Sequence, residues 1–92
     1  MLDDKQKKSI RDRLSRIRGQ LGGVSKMVET DRYCLDILNQ TSAVVAAIRN
    51  VENIVLQNHL DTCVADAIRS ENLTEQTEKQ KEIMSMLGTY RR

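Results

Sequence analysis

Apolar residues recur at alternating spacings of four and three along the first third of the chain: Ile10, Leu14, Ile17, Leu21, Val24 and Val28. That is the seam of an amphipathic helix, and it predicts a first helix over about residues 4–29. Thr30 and Asp31 suit a helix N-cap, and behind them a second helical pattern runs without punctuation to about Arg69. Its apolar residues, among them Leu38, Val44, Val45, Ile48, Val51, Ile54 and Val55, cover more than one stripe. Such width is expected of a helix that touches both its own first helix and a second copy of the chain. Asn72 followed by Glu75 has capping-box spacing for a short third helix, with Ile83, Met84, Met86 and Leu87 on its apolar side and Gly88 as its stop.

Composition narrows the picture to an all-α chain forming one domain over residues 1–92. Proline is absent, and the four glycines, at 19, 22, 23 and 88, leave nothing to interrupt Val24 to Leu87. Glycines 19, 22 and 23 each weaken the first helix by roughly 1 kcal/mol relative to alanine, so close backbone packing or a kink is expected there. Only 39% of residues are apolar and neither Phe nor Trp occurs, which leaves little bulk for a private core and makes oligomerisation the expected remedy. Ala43, Ala46 and Ala47 would allow helices to cross closely. There is no apolar leader in MLDDKQKKSIRD and no run near the ~20 apolar residues that span a bilayer, so a cytoplasmic protein with no membrane partner is expected.

Charge is unevenly distributed. The net charge is +2, yet Lys5, Lys7, Lys8, Arg11, Arg13, Arg16 and Arg18 face a single acid, Asp12, between residues 5 and 18. A basic helix can be no more than a solvated face. Repeated on every subunit of a symmetric oligomer, however, it could neutralise many phosphates and bind DNA in a salt-dependent way. No zinc finger, RNP aromatic motif or obvious helix-turn-helix is present, so such binding would use a helical surface.

Both cysteines and the single histidine form the other candidate site. At about 100° per residue, Cys34, His59 and Cys63 fall within ~20° of one azimuth on an unbroken helix. The same helix separates Cys34 from His59 by roughly 37 Å, so one chain cannot close a site around one ion. An antiparallel copy crossing near Ala47 and Ile48 would bring Cys34 of one subunit beside His59 and Cys63 of the other. In a reducing cytosol, metal binding or redox chemistry is favoured over a disulfide, while burial as inert packing residues is the plain alternative. Two thiolates and an imidazole suit Cu(I), and a fourth ligand would admit Zn(II). A thiol enzyme lacks support, since nothing resembles an oxyanion hole or substrate pocket.

The runs RLSRIRGQLGGVSKMVE (Arg13 to Glu29), DRYCLDILNQTSAV (Asp31 to Val44) and NHLDTCV (Asn58 to Val64) resemble the copper-sensing operon repressor family, CsoR, of the CsoR/RcnR superfamily. The resemblance covers essentially the whole chain. It implies a three-helix protomer, a dimer built on an antiparallel four-helix bundle, and a tetramer of two dimers. It further implies a non-enzymatic transcriptional repressor whose metal-free form binds operator DNA and whose Cu(I) form lets go, derepressing copper-resistance genes. The family's ligands fall on Cys34, His59 and Cys63, and its supporting groups on Tyr33 and Glu82, with Glu78 an alternative to the latter. By the same resemblance Arg13, Arg16, Arg18 and Arg49 are the DNA-contact candidates. Nickel and cobalt sensors of this fold use extra histidines, and formaldehyde sensors an N-terminal proline, which this chain lacks. A persulfide- or oxidant-responsive repressor linking Cys34 to Cys63 is the competing function, and a non-sensing helical assembly module the competing class.

Overall fold

The structure, a computed structural model, describes residues 2–90, with the side chain of Tyr90 outside the description along with Arg91 and Arg92. Its described residues form helices and turns: α1 (Asp4–Glu29), α2 (Cys34–His59), a π-helical segment (Leu60–Val64), α3 (Ala65–Arg69) and α4 (Leu73–Tyr90). The backbone divides into two compact units, residues 2–56 and the part from Gln57 onward.

In the first unit, α1 starts at a reciprocal capping box. The Asp3 carboxylate accepts from the Gln6 N–H at 2.7 Å, and the Gln6 side-chain oxygen accepts from the Asp3 N–H at 2.9 Å. At its far end Arg32 N–H reaches the Met27 carbonyl and Asp31 N–H the Val28 carbonyl, the paired bonds of a Schellman turn. Asp31 supplies the left-handed residue at φ 53°. Thr30 and Asp31 therefore close α1 and do not cap α2, because their backbone groups are committed to the preceding helix. Tyr33 takes the capping position of α2 instead, its carbonyl accepting from the Asp36 and Ile37 N–H groups.

The face that α1 buries is rotated from the expected seam. Ile10 and Ile17 are buried and Arg13, Val24 and Met27 half-buried, while Leu14, Leu21 and Val28 stay exposed. A second apolar stripe at heptad spacing is thus left open on α1. On α2 the sheltered residues are Ile37, Thr41, Val44, Ala47, Val51 and Ile54; Leu35, Leu38, Val45, Ile48 and Val55 are exposed. The expectation of two apolar faces on α2 holds in this sense. Packing within the chain does not account for the helix glycines, since a Cβ at Gly19, Gly22 or Gly23 would meet no atom within 4 Å outside the helix's own adjoining backbone.

In the second unit the expected unbroken helix to Arg69 changes type. Leu60–Val64 is π-helical, and the Thr62 hydroxyl bonds the Asn58 carbonyl at 2.8 Å, a back-bond of the kind that loosens an α ladder. Val64 and Ala67 are buried where α3 meets α4, and the Gln76 side chain donates to the Ile68 carbonyl at 2.9 Å. Glu71, at φ 60°, turns the chain into α4. Asn72 caps that helix through its side-chain oxygen on the Glu75 N–H at 3.0 Å. Only that half of the box forms, because the Asn72 N–H faces the Ser70 hydroxyl at 3.3 Å. Gly88 does not stop α4, which continues to Tyr90 with Gly88 in helical conformation.

Candidate metal centre

His59 closes α2, and Cys63 follows within the π-helical segment. A π-helix closes its bonds over five residues where the α-helix uses four, so the azimuth of Cys63 departs from the 100° arithmetic. Local π turns concentrate at functional positions. Thr62, beside Cys63, directs its hydroxyl to the thiol sulfur at 3.6 Å as well as to the Asn58 carbonyl. Both cysteines are thiols.

The imidazole is held from α4. His59 Nε2 lies 2.5 Å from Glu82 Oε1, and the other oxygen, Oε2, lies 3.0 Å from Lys79 Nζ. The pair partly shields itself: the side chains of His59 and Lys79 are about one-quarter exposed, at 25% and 27%, and that of Glu82 38%. Hydrogen bonds from Lys79 and His59 hold the Glu82 carboxyl below its ordinary range, and the Glu82 carboxylate raises the Lys79 ammonium. A charged carboxylate accepts a hydrogen bond, so the nitrogen facing it carries N–H, and in the neutral imidazole the lone pair is then on Nδ1. Glu78, one turn earlier, is exposed, and Glu82 is the carboxylate on His59.

The remaining candidates lie in the first unit. Cys34 is the exposed first residue of α2, and Tyr33 before it is exposed. Among the described residues no three His, Cys, Asp or Glu side chains converge within this chain. Arg16, Arg18 and Arg49 are exposed, and Arg49 borders a shallow hollow with Thr41, Ser42, Val45 and Ala46. Arg13 differs from them: it is half-buried, and its Nε is enclosed without a hydrogen-bond partner. Lys8 pairs with Asp12 at 3.0 Å, which lowers the Asp12 carboxyl; Lys5, Lys7, Arg11, Arg16 and Arg18 face solvent.

Two parts of this arrangement escaped the sequence reading. Lys79 was legible only as a helical neighbour three residues before Glu82, a weak signal among many such pairs. The π turn had a faint sign in Thr62, whose hydroxyl can compete for a backbone carbonyl.

The chain as a whole has relatives among known proteins. Residues 6–89 match the family model described as metal-sensitive transcriptional repressor. The chain is 56% identical over 66 residues to the copper-sensing transcriptional repressor CsoR of Bacillus subtilis, covering 72% of this chain and 65% of that protein. It is 44% identical over 63 residues to the copper-sensing transcriptional repressor RicR of Mycobacterium tuberculosis, covering 68% and 66%. The matched part thus spans just under two thirds of these relatives. Among solved structures, the copper-sensing repressor CsoR with Cu(I) from Geobacillus thermodenitrificans is 39% identical with a TM-score of 0.87, over 100% of this chain and 93% of that one. A variant of the formaldehyde-responsive regulator FrmR from Salmonella enterica is 27% identical with a TM-score of 0.76, over 98% and 99%.

Proposed function

The chain belongs to the metal-sensitive transcriptional repressors, and on that premise we propose that it is a cytoplasmic, Cu(I)-responsive repressor with no catalytic step. Its metal-free oligomer holds operator DNA, and Cu(I) binding between subunits releases it and derepresses copper-resistance genes. The observation that carries this reading is the hydrogen bond from His59 to Glu82, which would leave Nδ1 free to act as a ligand nitrogen four residues from Cys63.

The residues fit the ion. A soft set of two thiolates and one imidazole favours Cu(I) over Ni(II) or Co(II). When bound, Cu(I) supplies a single centre that ties these three side chains together. Cys34 and His59 stand at opposite ends of α2, so the second thiolate comes from Cys34 of a partner copy, with Tyr33 beside it. His59 would supply Nδ1 with Glu82 holding its orientation and tautomer, while Cys63 and Cys34 of the partner copy would supply sulfur. The similar repressors named for copper support the same choice of metal.

The exposed stripes on α1 and α2 support assembly into a homodimer on a four-helix bundle and a tetramer of two such dimers, because apolar rows of this length are normally covered. Arg16 and Arg18 on α1, with Arg49 on α2, present the phosphate-binding surface. Arg13 contributes from a more enclosed position. Metal and operator are then linked negatively and reciprocally.

Operator binding measured without oxygen, with and without one equivalent of Cu(I) per protomer, tests the reading. Loss of DNA affinity on metal addition is expected. Release only by polysulfide, with Cys34 and Cys63 crosslinked between subunits, would replace copper by a sulfur signal; indifference to both would leave an assembly module without a sensor.

A further inference from the structure

The Glu82 carboxylate serves two partners with two different oxygens, and the second partner has no place in the ligand set. Oε1 faces His59 Nε2, and Oε2 faces Lys79 Nζ at 3.0 Å. Lys79 and Glu82 sit one turn apart on α4, so the ammonium and carboxylate are carried by one rigid element. We infer that Lys79 is a positioning residue for the sensor: by fixing the Glu82 carboxylate it fixes which nitrogen of His59 is free. This rests on the metal-binding reading of His59 above.

Three features carry the assignment. Glu82 alone is a flexible, partly exposed side chain, and with one oxygen unheld it would sample rotamers that turn away from the imidazole. Lys79 removes that freedom. The lysine is itself partly sheltered: it lines a largely apolar hollow with Val64, Ile68, Ile83, Met84 and the glutamines Gln76 and Gln80, a setting that suits its methylenes while the head reaches the carboxylate. Lys81, two residues on, is exposed and has no such lining. The same hollow is lined by Val64, the residue after Cys63, at the end of the short segment that carries the thiol. A partly exposed ion pair of this kind adds little to stability. Its value here is orientation.

The single histidine makes the test direct, because the imidazole spectrum of the whole protein contains one ring. In metal-free wild type the Nε2–H of His59 should appear as a downfield, slowly exchanging resonance characteristic of a hydrogen bond to a carboxylate. Lys79→Met keeps the stem and removes the charge; it should broaden or shift that resonance, while Lys79→Arg should restore it. Glu82→Ala sets the signal of a ring with no carboxylate. Cu(I) affinity, measured by chelator competition, should fall in Lys79→Met by about tenfold, the lower end of the range for groups that support a metal-bound histidine. Operator affinity of the metal-free protein and the melting temperature should stay near wild type.

A wild-type imidazole resonance and wild-type Cu(I) affinity in Lys79→Met would overturn the assignment. If Lys79→Met melts early, Lys79→Gln read by the same resonance at low temperature decides between positioning and packing. Failure of the copper reading looks different: wild type itself would keep its DNA on Cu(I) addition, whatever the lysine variants do to the ring.

Discussion

Glu82, on α4, accepts the Nε2–H of His59, the last residue of α2, across 23 positions of sequence. The bond ties the candidate ligand to the last helix, so the imidazole is oriented before any ion arrives. It also gives α4 a stake in the candidate metal site that its own composition, with no Cys or His, does not suggest.

Glu82→Ala should therefore weaken Cu(I) binding by roughly 10–100-fold, the usual cost of removing the group behind a ligating histidine. Competition against a Cu(I) chelator reads this. DNA affinity of the metal-free protein should be unaffected, because an acidic side chain on α4 is not one of the basic phosphate-contact candidates.

Cys34→Ala should bind operator as wild type does and fail to release it when one equivalent of Cu(I) is added without oxygen. Fluorescence anisotropy of a labelled operator follows both states. Normal release in this variant would remove Cys34 from the site.

Arg18→Ala should lower operator affinity and reduce the slope of log K against log salt by about one, as expected for loss of one phosphate contact. Arg13→Ala should act differently, with a fall in melting temperature as well, because Arg13 is half-buried and its Nε is enclosed. A salt titration of each variant beside a thermal melt separates contact from packing.

Glu71→Gly should stabilise the protein by up to about 1.5 kcal/mol. The left-handed backbone at φ 60° costs an L-residue roughly 1–2 kcal/mol, from which the extra freedom of glycine in the unfolded chain subtracts about 0.5–1 kcal/mol. Asp31→Gly should gain less, since aspartate tolerates this conformation better than glutamate. Melting temperatures of the two single variants compare them.

Helix positions were readable from the chain because periodicity and breakers are local. The seam beginning at Ile10 located α1, and the run without Pro or Gly after Val24 required long helices. Details that depend on competition between neighbours were not readable. Thr30 and Asp31 have the composition of a cap for the next helix, yet the backbone bonds of the previous one claimed them. Leu14 and Ile17 look alike in a heptad, and only packing selected Ile17 for burial and left Leu14 exposed. Gly88 was read as a stop, but with no left-handed turn demanded there the helix simply continued.

The sequence by itself determined the helical class and the basic character of α1, and it singled out Cys34, His59 and Cys63 as the candidate soft donors, since these follow from residue type and spacing. Tertiary structure decided what surrounds the histidine. Two carboxylates one turn apart, Glu78 and Glu82, are equivalent as letters, and only the packing of α4 in the second unit brings one of them to Nε2 while Lys79 takes its other oxygen. Orientation of a hydrogen bond is a property of three-dimensional placement at the scale of an ångström, and helical periodicity does not carry that precision.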